Sequence, residues 1–142
     1  MNKCQYIVLA VVLTAFSACN SSPDYYQYKD DDLTVKMMDL NTTGDAAEIV
    51  FSARITPGKL AIKLNDTLKT KMIYNMDSCF YIQAGPRKVY PAIIQPIANG
   101  VSGIFEYMVS FDKNELPKGD FGITYQDKYL NKRKYTLSFG KH

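Results

Sequence analysis

The stretch 104–112, IFEYMVSFD, settles the fold class. Phe105, Tyr107, Val109 and Phe111 alternate with Glu106, Met108 and Ser110. Successive side chains of a strand point to opposite faces, so a period of two marks a strand with one buried face. Glu106 then falls in the polar phase and reads as a solvated residue of a half-buried strand.

The same period extends outward in both directions. Upstream, LTVKMMDL (33–40) reads as a strand, and NTTGD (41–45) breaks it. EIVFSARI (48–55) places Ile49, Phe51, Ala53 and Ile55 on one face. Thr56-Pro57-Gly58 turns the chain into KLAIKL (59–64), where Leu60, Ile62 and Leu64 alternate inward. Asn65-Asp66 turns it again into LKTKMIYN (68–75). SCFYIQ (78–83) ends at Ala84-Gly85-Pro86, a strong turn signal. KVYPAIIQPI (88–97) carries Pro91 and Pro96. Proline cannot donate to a ladder, so this segment belongs at an edge or a bulge. Asn99-Gly100 and Ser102-Gly103 turn into the decisive strand. Downstream, 116–120 turns into FGITYQD (121–127), and LNKR (130–133) into KYTLSFG (134–140), where Tyr135, Leu137 and Phe139 share a face.

Eight or nine short strands with turns roughly every 8–12 residues predict an all-β fold. The expected architecture is an antiparallel β-sandwich, immunoglobulin-like or transthyretin-like. Beyond the first residues no stretch has a helical period, though ELPKG (115–119) fits one helical turn.

The N-terminus reads as an address. Lys3 supplies a positive charge, and Tyr6–Phe16, YIVLAVVLTAF, is an apolar run of 11 residues. A membrane-spanning helix needs about 20, whereas a secretory signal needs a shorter run of this kind. Phe16-Ser17-Ala18-Cys19 follows directly. These residues resemble the lipobox of bacterial lipoproteins, with Phe16 in place of the usual Leu. The resemblance implies cleavage before Cys19 and acylation of its sulfur and new amino group, which gives stable anchoring. A plain secretory signal with a chance Cys is the alternative. Asn20 after the Cys favours the outer membrane, and the single acid in Asn20–Asp24 favours a periplasm-facing position. The expected layout is a signal peptide (1–18), a lipidated tether (19–32) and one domain (33–142). Tyr25, Tyr26 and Tyr28 are unusual for a disordered tether and suit packing on the domain or a partner. The acidic run Asp30–Asp32 reads as a solvated end of the linker, because no loop of alternating oxygen ligands accompanies it.

Composition narrows the chemistry. The chain has 142 residues, with 17 Lys+Arg against 14 Asp+Glu. That excess is too mild for a nucleic-acid binder. Loss of Lys3 would leave 16 basic residues and a formal +2. One His among 142 residues, at His142 in an expected frayed end, leaves no base for a hydrolase triad. There are three Glu, at 48, 106 and 115, and no phosphate loop, dinucleotide fingerprint or CxxC. No catalytic residue, cofactor or metal site is expected, and the reading is of a protein that is not an enzyme. Cys79 lies in an apolar run and reads as a buried small hydrophobe, not a reactive thiol.

Three surfaces remain as candidate contacts. The apolar, proline-bearing run 89–100 offers Val89, Tyr90, Pro91, Ile93, Ile94, Pro96 and Ile97 for a partner, by strand addition or as an exposed patch, unless it is core with bulges. The tip Asn131-Lys132-Arg133-Lys134 suits lipid headgroups, peptidoglycan or an acidic partner, or is only a soluble hairpin end. Asp66-Thr67-Leu68 resembles an O-glycosylation acceptor used in the periplasm of some Gram-negative bacteria, with Thr67 as the acceptor.

A lipobox protein with a short tether and a single all-β domain resembles the accessory lipoproteins of envelope-spanning secretion machines, in particular the small type VI secretion outer-membrane lipoproteins of TssQ type. The resemblance rests on Phe16-Ser17-Ala18-Cys19 and the layout, and it carries no contact residues. It implies a non-catalytic, lipid-anchored adaptor with other envelope proteins as partners. The alternative is an anchored module for a glycan or small solute. That would need an aromatic platform, for which Tyr74, Tyr81, Tyr90, Tyr107, Tyr125, Tyr129 and Tyr135 are candidates, although there is no Trp.

Overall fold

The computed structural model describes residues 25–41 and 46–139. In chain order the strands are β1 (Tyr25–Lys29), β2 (Leu33–Asp39), β3 (Glu48–Pro57), β4 (Phe80–Ala84), β5 (Arg87–Val89), β6 (Ile93–Ile97), β7 (Phe105–Asp112), β8 (Phe121–Gln126) and β9 (Lys134–Phe139). Five of them form one sheet in the order β1-β2-β3-β7-β6, and four form the other, β5-β4-β8-β9. All pairings are antiparallel, and the sheets face each other across one core. The all-β sandwich expected from the alternation is the fold.

Register explains which residues reach the core. Tyr26, Met37, Ala53, Tyr107 and Pro96 lie level across the five-stranded sheet, all on its inner face. The next inner row is Tyr28, Val35, Ile55 and Phe105. Ile49, Phe51, Ala53 and Ile55 are buried, as are Phe105, Tyr107, Val109 and Phe111, and Tyr135, Leu137 and Phe139. Phe51 ties the two layers together. Its ring lies 4.8 Å from that of Phe139 and 6.5 Å from that of Phe121 in the opposite sheet. Full burial of one such side chain stabilises the fold by about 1.5–3 kcal/mol, and tilted ring pairs add about 0.5–1.5 kcal/mol.

Two expected strands are helical. KLAIKL forms a 3-10 helix, Lys59–Lys63. The ladder stops at Pro57, because the Gly58 and Lys59 N–H groups donate back to the Asp32 and Asp31 carbonyls at 2.8 and 2.9 Å. Leu60 is buried, whereas Ile62, expected inside, is 91% exposed. LKTKMIYN, up to its final Asn75 at the C-cap, lies within an α-helix, α1 (Asp66–Tyr74). Asn65 caps it by accepting from the Leu68 N–H at 2.9 Å. Leu68, Met72 and Ile73 face the core, a spacing of four and one that belongs to a helix, and Met76 follows them into the core beyond the C-cap. The alternation of Leu68, Thr70 and Met72 concealed it.

The two proline-bearing elements also resolve. Residues 88–97 are not one bulged strand but two strands in different sheets. β5 ends at Val89, and the chain crosses over Tyr90–Ala92 to become β6 at the edge of the other sheet. The domain starts before Leu33, since the tether's Tyr25–Lys29 is β1. Its tyrosines pack on β9, with Tyr26 4.2 Å from Phe139 and Tyr28 5.1 Å from Tyr135 between ring centroids.

Asp30–Asp32 is a structural turn and not a linker end. An Asp30 carboxylate oxygen accepts from the Asp32 and Leu33 N–H groups at 2.8 and 2.9 Å. Asp31 pairs with Lys59 at 2.6 Å, and Asp32 with Arg133 at 3.1 Å. Arg133 therefore leaves the expected basic tip to join two acids of the β1–β2 turn. That tip is built around Asp127, which is 1% exposed. Its carboxylate accepts from Tyr125 Oη at 3.0 Å, from the Leu130 and Lys132 N–H groups at 2.9 Å, and from Asn131 N–H. The bond from the Lys132 N–H goes with a φ of 62° at that residue, a left-handed conformation uncommon for a non-glycine residue.

Candidate functional site

Among the described residues a concavity lies between α1 and the β6–β7 connection. It has a volume of about 560 Å³, within the range of small-molecule and side-chain pockets. Lys69, Ile73 and Tyr74 of α1 form one wall. Pro96 and Ile97 of β6, the loop 98–104, and Phe105–Tyr107 of β7 form the floor and the other wall.

Local bonds hold this shape in advance of any ligand. Tyr107 Oη donates to the Met72 carbonyl in the last turn of α1, and Tyr129 Oη donates to Asn75 beyond it. These hydroxyls satisfy carbonyls that a helix end leaves without partners. Across the recess Asn99 folds the loop. Its side-chain oxygen accepts from the Val101 N–H at 2.9 Å, and its amide donates to the Ile104 carbonyl at 3.2 Å. Gly100 and Gly103 supply left-handed φ of 70° and 80° within it. Tyr74 and Val101 stand at the rim, 70% and 53% exposed.

The electrostatics are balanced. Lys69 and Glu106 are the charged lining residues. Lys69 lies 3.6 Å from Asp66, and Glu106 pairs with Arg54 on the outer face of the sheet. Glu106 is thus half-buried and ion-paired, where a solvated residue was expected.

The structure divides the seven candidate contacts of 89–97. Pro96 and Ile97 enter the recess. Ile93 is exposed on the outer face of β6, and Tyr90 is exposed beside Tyr81, with ring centroids 6.1 Å apart. Val89 is buried, and Ile94 packs inward on the core with Pro91 half-buried nearby. Sequence reasoning missed the α1 wall and the loop 98–104. The Asn cap signal at 65–66 and the positions of Leu68, Met72, Ile73 and Met76 were the available signs.

The tyrosines do not form one platform. Tyr107, Tyr125 and Tyr135 are core residues, and Tyr74 and Tyr90 are exposed at separate places. Thr67 is exposed in the first turn of α1, so its hydroxyl is accessible. Lys132 and Lys134 are exposed at the hairpin tip. Cys19 and His142 lie outside the described residues. No described helix is long and apolar enough to cross a membrane.

Cys79 is fully buried, and burial pushes its thiol up to about 11. The thiolate is the reactive form, so the folded domain should resist thiol reagents at pH 8. With Cys19 replaced in a protein lacking residues 1–18, a disulfide reagent should label less than about a tenth of Cys79 until denaturant is added. Full labelling of the native protein within minutes would restore the reactive-thiol reading.

Comparison with known protein families, with curated proteins and with solved structures finds no match to this chain.

Proposed function

We propose that this protein is a non-catalytic, lipid-anchored periplasmic adaptor, held at the outer membrane through Cys19, which engages another envelope protein through its β6 side. The type VI-like machine is the assembly that the sequence resemblance suggests. One observation carries the reading. β6 is an edge strand with Ile93 and Ile97 49% and 42% exposed, and it borders a preformed apolar recess. Adjoining exposed apolar surface of this kind is a mark of interaction sites.

The glycan- or solute-binding alternative draws on the same recess, whose size suits a small ligand. The dispersed tyrosines weigh against a glycan platform, which needs rings gathered on one exposed face.

The test is capture of the lipidated protein from detergent-solubilised envelopes, beside Cys19→Ala. Stoichiometric co-recovery of defined inner-membrane or secretion proteins, lost when Ile93 and Ile97 are both changed to Asp, is the expected result. Recovery of the protein alone would abandon the adaptor in favour of solute screens.

A further inference from the structure

The recess has a definite position relative to β1 and β9. Tyr25 lies level with Met38, Ser52, Met108 and Gln95 across the five-stranded sheet. β1 and β6 therefore run in the same direction, both toward the loop 98–104. The chain enters β1 from the end away from that loop, on the opposite edge of the sheet, four strand spacings or about 19 Å from β6. β9 runs against β1, as the Tyr26–Phe139 and Tyr28–Tyr135 pairs show, and it too leaves toward the far end. An anchor at Cys19 lies six residues before Tyr25, a reach of about 20 Å. β1 and the recess thus lie on opposite edges of one sheet, with Tyr25 level with Gln95, one residue before the Pro96 that lines the recess.

The shape and lining then select an occupant. A bilayer surface covers protrusions and does not fill a recess. Proline at 96 has no N–H, which limits β6 as a template for an added strand. The lining is apolar apart from a few polar groups, and its Lys69 and Glu106 already face opposite charges of this chain. A charged ligand would gain no free counter-ion there. An apolar cavity of about 150 Å³ holds one benzene ring, so about 560 Å³ takes roughly three large side chains.

Resting on the adaptor reading, we propose that the recess between α1 and the β6–β7 loop receives an uncharged segment of a partner protein carrying about three large apolar side chains, by side-chain insertion and not by strand pairing. Tyr74 and Val101 are the rim residues that close over it. Buried anchors of this type, filling a preformed pocket, dominate the energetics of protein interfaces.

The test is selection of a random displayed peptide library on the full-length lipidated protein in detergent. The expected winners are uncharged peptides with clustered Leu, Ile, Phe or Trp, whose affinity falls about tenfold or more with Val101→Asp or Ile97→Asp. Val101 and Ile97 are exposed enough for both variants to fold, and circular dichroism checks that they do. Charged winners, winners indifferent to both variants, or no winners at all would overturn the assignment. So would vesicles of phosphatidylethanolamine and phosphatidylglycerol that bind the protein lacking its lipid in a Val101-dependent way. A monomer–dimer equilibrium abolished by Val101→Asp would give the recess to a second copy instead. If envelope capture survives both variants, the adaptor stands and this site falls. If capture fails while peptides bind, the site stands and the adaptor falls.

Discussion

Raising the pH above 9 should destabilise this domain, with stability flat from pH 7 to about 8.5 and falling steeply past about pH 10. Three buried groups drive this. Burial pushes the Tyr107 and Tyr125 hydroxyls well above their ordinary range, and the Asp127 carboxylate adds to the effect on Tyr125. Cys79 is pushed up to about 11, again by burial first. All three hold their protons more tightly folded than unfolded. Their stabilisation is complete below the unfolded values, about 8.5 for Cys and 10 for Tyr, and is lost as pH climbs toward the folded values. Each contributes about 1.4 kcal/mol of loss per pH unit in that window. The three losses add, so stability falls more steeply once the pH passes about 10 and all three groups take part. Urea denaturation at a series of pH values measures it, and tyrosinate absorbance should rise together with the loss of structure. Replacing Tyr125 and Tyr107 by Phe should move the alkaline midpoint upward. Equal stability at pH 8 and pH 11, within about 1 kcal/mol, would refute the account.

Asp127→Ala should be the most damaging single change in the polar structure. The side chain gathers the Leu130, Asn131 and Lys132 N–H groups and the Tyr125 hydroxyl around one buried carboxylate. Hydrogen bonds to a charged group contribute about 1.5–3 kcal/mol each in net terms, and donors left buried without partners cost more. Some of these donors would find water once the loop opens, so the expected loss is about 3–5 kcal/mol. The midpoint of thermal unfolding should fall by about 10–20 °C. The damage should spread to the β1–β2 turn, because Arg133 would no longer be held opposite Asp30 and Asp32. Asp127→Asn keeps one acceptor oxygen and should cost less. A loss below about 1 kcal/mol for the Ala variant would mean that water replaces the carboxylate without penalty.

The alternation carried most of the fold and little of the candidate site. In β3 and β9 one face is core and the other is more exposed, so period and burial coincide, and in β7 only Ser110, buried in the outer phase beside Glu48, departs from it. Nine strands were within expectation, yet the membership differs. Two segments left the set to become helices, while β1 came from the presumed tether and the split of 88–97 supplied another. In KLAIKL the next fixed point was tertiary. Gly58 approaches Asp31 so closely that an added Cβ would lie 2.7 Å from the Asp31 carbonyl oxygen. No local pattern announces such a contact between residues so far apart in sequence. The recess was half legible for the same reason. Pro96 and Ile97 stood out as an apolar, proline-marked edge, but their opposite wall is an unexpected helix, placed there by the Tyr107 hydroxyl.

The placement of β1 has a mechanical consequence. It is hydrogen-bonded to β2 over five register pairs and clasped by β9 through Tyr26 and Tyr28. A pull on the chain before Tyr25, directed along β1, would load this ladder lengthwise. The ladder bonds of an antiparallel pair lie across the strand axis, so such a load shears them together instead of opening them one at a time. Peeling β1 sideways would break the bonds in sequence and at lower force. Under the proposed anchoring through Cys19, a pull along β1 would meet all five register pairs at once.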